Sequence, residues 1–128
     1  MRLINRSGRL RLSRCERAQV YLKTSGCCAY CGTPINFKVM QVDHVQPLSL
    51  GGLDIFDNML PACASCNRYK STLTLDKFRS AVERFPVVLA RDSATYRNAV
   101  RFGVVEPRPR KVTFYFEQLG IKIKEVKA

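Results

Sequence analysis

The chain contains one histidine, and its neighbours are chemically pointed. His44 lies in Val42-Asp43-His44-Val45-Gln46-Pro47, with Cys28-x-x-Cys31 upstream and Cys63-x-x-Cys66-Asn67 downstream. An imidazole with an ordinary pKa of about 6.5 accepts a proton near neutrality. The adjacent carboxylate, Asp43, offers a hard oxygen to Mg2+, and the Asn67 amide offers a neutral one. A divalent cation held by so few protein ligands keeps positions open for water and a phosphate oxygen. These groups match the needs of phosphodiester hydrolysis: an acceptor for the proton of the attacking water, and a cation to meet charge developing on oxygen.

Geometry sets a condition. Neighbours in a regular strand point to opposite faces, so Asp43 and His44 reach one phosphate only where the strand ends or bends. Pro47 and the flexible pair Gly51-Gly52 predict such an ending. On a helix, Asn67 and Lys70 share a face. Lys70 and Arg68 are therefore candidates for phosphate contact, against the alternative of solvated helix charge.

Six cysteines in a short chain suggest either disulfides or a metal. Met1-Arg2-Leu3-Ile4-Asn5-Arg6 is basic, but no apolar run follows it. A cleaved signal peptide is not expected, nor is a membrane span, and the chain is expected in the cytosol of a bacterial or phage-infected cell. There, two C-x-x-C pairs read as a structural zinc site on Cys28, Cys31, Cys63 and Cys66. Cys27 could substitute for Cys28, though its spacing to Cys31 is less usual. Cys15 reads as a small buried apolar residue.

The elements that must position these groups can be traced. Residues 1–12 show no periodicity and read as a basic arm. Ser13-Arg14-Cys15-Glu16 is a capping box that predicts a helix to about Lys23, ending near Ser25-Gly26, with Cys15, Ala18, Tyr21 and Leu22 as its apolar stripe. Residues 38–42 alternate like a strand that ends at Asp43-His44, and Asn58–Pro61 reads as the returning strand. A helix begins at Ala64. Thr74 caps another that Pro86 ends, Ser93–Phe102 forms a third closed by Gly103, and Val112–Phe116 alternates like a late strand whose aromatics belong to a core rather than to base stacking. The expected fold is α+β in a single domain over 1–128: the basic arm at 1–12, a zinc-held core at 28–71, and a helical and strand extension at 72–128.

The charge is lopsided, with 22 Lys+Arg against 10 Asp+Glu and a pI near 9.9. That balance is the electrostatic footprint of a polyanion binder and points to nucleic acid. Arg2, Arg6, Arg9, Arg11 and Arg14 form one dense stretch, and Arg108, Arg110 and Lys111 another.

Taken in order, Cys28-x-x-Cys31, Asp43-His44-x-x-Pro47, Gly51-Gly52, Asn58 and Cys63-x-x-Cys66-Asn67-x-x-Lys70 resemble the HNH endonuclease motif. The form is the zinc-ribboned one of small phage-encoded and restriction-like proteins. The resemblance implies a β-hairpin and helix gripping one catalytic divalent metal, Mg2+, Mn2+ or another. It also implies His44 as general base, Asp43 and Asn67 as metal ligands, and Asn58 as the residue that orients the histidine-bearing loop. The family's last position is often histidine; asparagine here alters metal preference more than competence. The expected activity is metal-dependent cleavage of DNA, by nicking or double-strand cutting, leaving 5′-phosphate and 3′-hydroxyl ends. Two other readings stand beside it: a zinc-ribbon DNA-binding adaptor in a packaging or repair assembly, and an RNA-directed protein, since basic charge does not distinguish the polymers. Phage packaging proteins or a second copy of the chain are open as partners.

Overall fold

The computed structural model describes residues 3–4 and 10–123. The chain divides into two compact units, one of Met1–Leu75 with Thr113–Ala128 and one of Asp76–Val112. Among the described residues, no helix is long and apolar enough to cross a membrane.

The first unit opens with two short antiparallel strands, β1 (Leu3–Ile4) and β2 (Leu10–Arg11). The segment read as an unpatterned arm thus contains a pairing; Arg2, Arg6 and Arg9 lie outside the described residues. Helix α1 (Arg14–Leu22) starts at the capping box, with the Ser13 hydroxyl accepting from the Glu16 amide at 3.1 Å and Glu16 accepting from the Ser13 amide at 2.9 Å. These two bonds satisfy amides that a helix start leaves unpaired. Its inward residue is Val20, which is fully buried, whereas Cys15 is exposed and Leu22 is 68% exposed. The buried stripe is rotated from the expected one. Helix α1 packs on the second strand of the hairpin described next, so the partner surface, and not the helix's own periodicity, chose the buried face.

The alternating run at 38–42 is not a strand throughout. Phe37–Val39 forms a 3-10 turn capped by the Asn36 side chain, and β3 begins only at Gln41 and runs to His44. It pairs antiparallel with β4 (Met59–Ala62), placing His44 opposite Met59 and Asp43 opposite Leu60. Helix α2 (Ala64–Lys70) follows β4 directly and packs on β3. The unit closes with Phe114 and Phe116, both buried, the latter in the short helix α6 (Tyr115–Gln118). Numbered in chain order, α3 (Leu75–Glu83), α4 (Phe85–Asp92) and α5 (Ala94–Arg101) come before it. Among the described residues the expected late strand is absent: Phe114 is extended, and the Phe116 and Tyr115 amides bond to the carbonyls of Ala29 and Tyr30 (2.8 and 3.1 Å). The core reading of its aromatics holds.

In the second unit, α4 packs against α5, and Ser93 caps α5 by accepting from the Tyr96 amide at 3.1 Å. Pro86 does not simply end a helix; it occupies the first turn of α4, where its missing N–H costs nothing. The Arg79 guanidinium donates to the Val112 carbonyl at 2.8 Å, tying the two ends of the unit together.

Candidate active site

The hairpin and α2 are held together at one end by cysteine. The Cys28–Thr33 turn is closed by the Gly32 amide on the Cys28 carbonyl (2.9 Å) and the Cys28 amide on the Thr33 carbonyl (2.8 Å). The Ala29 amide then bonds the Pro61 carbonyl at 2.9 Å, bringing this turn against the end of β4. Cys63 sits at the N-cap of α2, its sulfur accepting from the Cys66 amide. The Sγ atoms of Cys28, Cys31, Cys63 and Cys66 consequently all lie within 4.8 Å of one another, with Cys31 and Cys63 at 3.9 Å. A tetrahedron with Zn–S bonds of about 2.3 Å has edges of about 3.8 Å, so the thiol set fits zinc. The Cys66 thiol and neighbouring backbone amides hold the Cys28 thiol down, to about 4, and the resulting thiolate pushes Cys66 up. Four sulfurs so close repel as thiolates, and a dication relieves that repulsion. Cys28, not Cys27, belongs to the cluster.

Tyr30, inside the same turn, links this cluster to the chemistry. It packs edge-on against Phe114 and Phe116, with ring centroids 5.3 and 6.1 Å away. Its hydroxyl donates to Asp43 Oδ2. Burial first, and then the Asp43 carboxylate, raise the phenol well above its ordinary range, so it stays a donor. Lys70 Nζ meets the same Asp43 oxygen at 3.1 Å and the His44 carbonyl at 3.1 Å. Burial pushes the Asp43 carboxyl up, and the Lys70 cation and the Tyr30 hydroxyl oppose that push. Both partners use Oδ2, which leaves Oδ1 for a further ligand.

Lys70 is thus not placed to touch phosphate. Its side chain is fully buried, because the face of α2 that carries it packs on β3. Replacing Lys70 with methionine would strand a buried carboxylate without its cation. The expected loss is about 3–5 kcal/mol of unfolding free energy, measured by urea denaturation; a solvated or phosphate-contacting lysine would change stability by less than about 0.5 kcal/mol. Arg68 is exposed on α2, beside Ala64, Ser65 and Tyr69. Asn67 is half-buried one helical turn before Lys70.

His44 goes elsewhere. As the last residue of β3 it still obeys strand alternation: Asp43 turns inward to Tyr30 and Lys70, while His44 Nε2 lies 2.7 Å from Asp54 Oδ1. His44 is nevertheless close enough to favour the ionised form of Asp43. A carboxylate accepts, so this bond places the ring proton on Nε2 and leaves Nδ1 as the acceptor. Sequence reasoning missed Asp54 and Tyr30. The only signals were an acid two residues after the double glycine and a tyrosine enclosed in a C-x-x-C pair.

The loop between the strands is fixed by Asn58. Its side-chain oxygen accepts from the Gln46 amide and its nitrogen donates to the carbonyls of Gln46 and Leu53, each at 2.9 Å. It is buried, and so secures both the residue after the His44 turn and the residue before Asp54. Lys23, at the end of α1, braces the same loop by donating to the carbonyls of Phe56 and Met59 (the latter at 2.7 Å) with its ammonium over the Phe56 ring.

The double glycine is a steric necessity more than a flexible turn. A Cβ on Gly52 would fall 1.9 Å from the Gln46 carbonyl oxygen, and Gly51 sits at φ 90°. Gly52→Ala must push the loop apart and carry Asp54 away from His44. We expect a loss of at least about 2 kcal/mol in denaturant unfolding; an unchanged midpoint would mean that the loop conformation is immaterial.

Residues 28–82 match a family model described as HNH endonuclease. A stretch of 52 residues is 40% identical to a CRISPR-associated endonuclease Cas9 from Actinomyces naeslundii, covering 39% of this chain and 5% of the relative. A stretch of 44 residues is 39% identical to a CRISPR-associated endonuclease Cas9 from Corynebacterium diphtheriae, covering 34% of this chain and 4% of the relative. The crystal structure of the Type II-C Cas9 enzyme from Actinomyces naeslundii aligns over 54% of this chain and 8% of its own, at 27% identity and a TM-score of 0.49. The chain thus matches only about a twentieth of the length of these curated relatives.

Proposed function

We propose, from the match of residues 28–82 to a family model described as HNH endonuclease, that this chain is a divalent-metal-dependent endonuclease that hydrolyses DNA phosphodiester bonds. The observation that supports it most directly is the coincidence, within one hairpin and helix, of an oriented imidazole and a braced carboxylate: His44 on Asp54, and Asp43 on Tyr30 and Lys70. A proton acceptor and a metal-ligand oxygen are the two groups the hydrolysis requires.

In this reading, His44 Nδ1 takes the proton of the attacking water, and Asp54 holds the ring in register and stabilises the imidazolium that forms. Asn58 keeps both residues at their stations by tying Gln46 to Leu53. Asp43 and Asn67 would hold a divalent cation, which would supply Lewis acidity when bound. Lys70 and Tyr30 prevent the Asp43 carboxylate from rotating away. The cysteine cluster holds a structural zinc that fixes the start of α2 to the hairpin.

The reading is tested with supercoiled plasmid and Mg2+ or Mn2+. Conversion to nicked or linear DNA, abolished by removing the divalent ion, is expected. Failure to cut with any divalent metal, by protein that retains its fold and its zinc, would overturn it.

A further inference from the structure

Buried Lys70 cannot be the cation that meets a polyanion, but the first unit supplies others. A groove of about 640 Å³ is walled by Arg11, Arg14, Arg17 and Lys38, and His44 and Asp54 open into it. Arg17 is part of the wall: its guanidinium donates to the Met40 carbonyl at 2.9 Å and lies over the Phe37 ring, fixing α1 to the turn before β3. Arg11, Arg14 and Lys38 are exposed, and among the described residues none of their side chains is paired with an acid. Among the described residues the acid lining the groove is Asp54, and it is engaged by His44.

Isolated surface cations are ordinarily just solvated. Here several line a single concavity that contains the proposed general base, and a concave surface of one charge sign focuses its field inward. The capping box and the Arg17 brace make α1 a rigid mount for Arg14, so little order is lost on binding. Arg11, Arg14 and Arg17 lie outside the matched segment 28–82, so the family resemblance does not supply them.

We propose that this groove is the track for the phosphodiester backbone of the DNA strand being cut, with Arg11, Arg14 and Lys38 pairing with phosphates beside the one presented to His44. The proposal rests on the nuclease reading above and assigns its substrate contacts.

Phosphate pairing releases counterions, so the slope of log affinity against log salt reports how many such pairs form. The test is fluorescence anisotropy with a labelled DNA duplex, using His44→Ala protein so that the probe survives. The variant Arg11→Ala/Arg14→Ala/Lys38→Ala is compared with Arg101→Ala/Lys122→Ala, which removes exposed charge elsewhere. The groove variant is expected to show a slope shallower by about 0.9 for each phosphate left unpaired, and a weakened affinity whatever the duplex sequence. A charge-preserving variant, Arg11→Lys/Arg14→Lys/Lys38→Arg, should keep the slope, which separates lost charge from lost fold. A groove variant that matches the control in slope and affinity overturns the proposal. So does tighter binding of an RNA probe than of DNA, if the groove variant weakens the RNA alone. Failure of the underlying reading registers separately: a shallower slope without plasmid nicking by the unsubstituted protein supports the groove and overturns the nuclease, whereas nicking with an unaltered slope overturns the groove alone.

Discussion

Replacing His44 with alanine is expected to lower plasmid cleavage by about 10²–10⁴-fold while leaving DNA affinity and melting temperature nearly unchanged. The chain has no second histidine to take over the proton. The adjacent carboxylate, Asp43, is a poor substitute because it is buried between Tyr30 and Lys70. His44 is only partly buried, with 12% of its side chain exposed, and opens into the groove, so its truncation breaks no core packing. The effect should thus fall on kcat and not on folding. Asp54→Asn provides the graded control. The amide can still contact Nε2 but cannot stabilise an imidazolium, so a smaller loss is expected, with His44→Ala/Asp54→Asn no worse than His44→Ala alone. Addition of free imidazole to the His44→Ala protein should restore part of the rate. Full cleavage by His44→Ala would assign the proton to another group and remove the mechanism.

The elements nearest the chemistry were the most legible in the sequence. The capping box at Ser13, the hairpin partner at Met59–Ala62, the helix from Ala64 and the choice of Cys28 over Cys27 all depend on local rules: a cap, a strand pattern, a metal-ligand spacing. What escaped was decided by partners distant in sequence. Val20 faces inward because β4 is there, and Lys70 is drawn in by a carboxylate on β3. The run Val112–Phe116 has the alternation of a strand, but its amides find the carbonyls of Ala29 and Tyr30 before any strand partner. Asp54 and Tyr30 were invisible for a related reason. Each acts through one long-range hydrogen bond, and a lone acid or tyrosine carries no spacing that announces its partner. The strand ends at His44 as expected, but its alternation persists to that end, so the two side chains take different supports, Asp43 on Tyr30 and Lys70 and His44 on Asp54.

Removing zinc is expected to abolish cleavage even when Mg2+ is in excess. Apparent binding energies of structural zinc sites run to about 10–16 kcal/mol, comparable with or above the 5–15 kcal/mol, roughly, that holds a whole domain folded. Besides the Lys70 contacts to β3, α2 depends on its cysteine end: the helix is 7 residues long, and Cys63 and Cys66 stand at its start. Its inward lysine is buried only while the helix lies on β3. Because Tyr30 sits between Cys28 and Cys31, loosening that turn also withdraws the hydroxyl from Asp43, and the buried carboxylate loses its brace. A chelator selective for zinc should therefore release one equivalent of metal per chain, lower the melting temperature and stop nicking, and zinc, not magnesium, should restore all three. Cys63→Ser should reproduce the loss of metal and stability. Tyr30→Phe separates frame from chemistry: it should keep its zinc, lose about 1–3 kcal/mol of stability from the unmatched buried carboxylate, and cut more slowly. If zinc-stripped protein keeps its melting temperature and still nicks DNA, the cysteine cluster is not the frame of the site, and the hairpin and α2 must hold each other by packing alone.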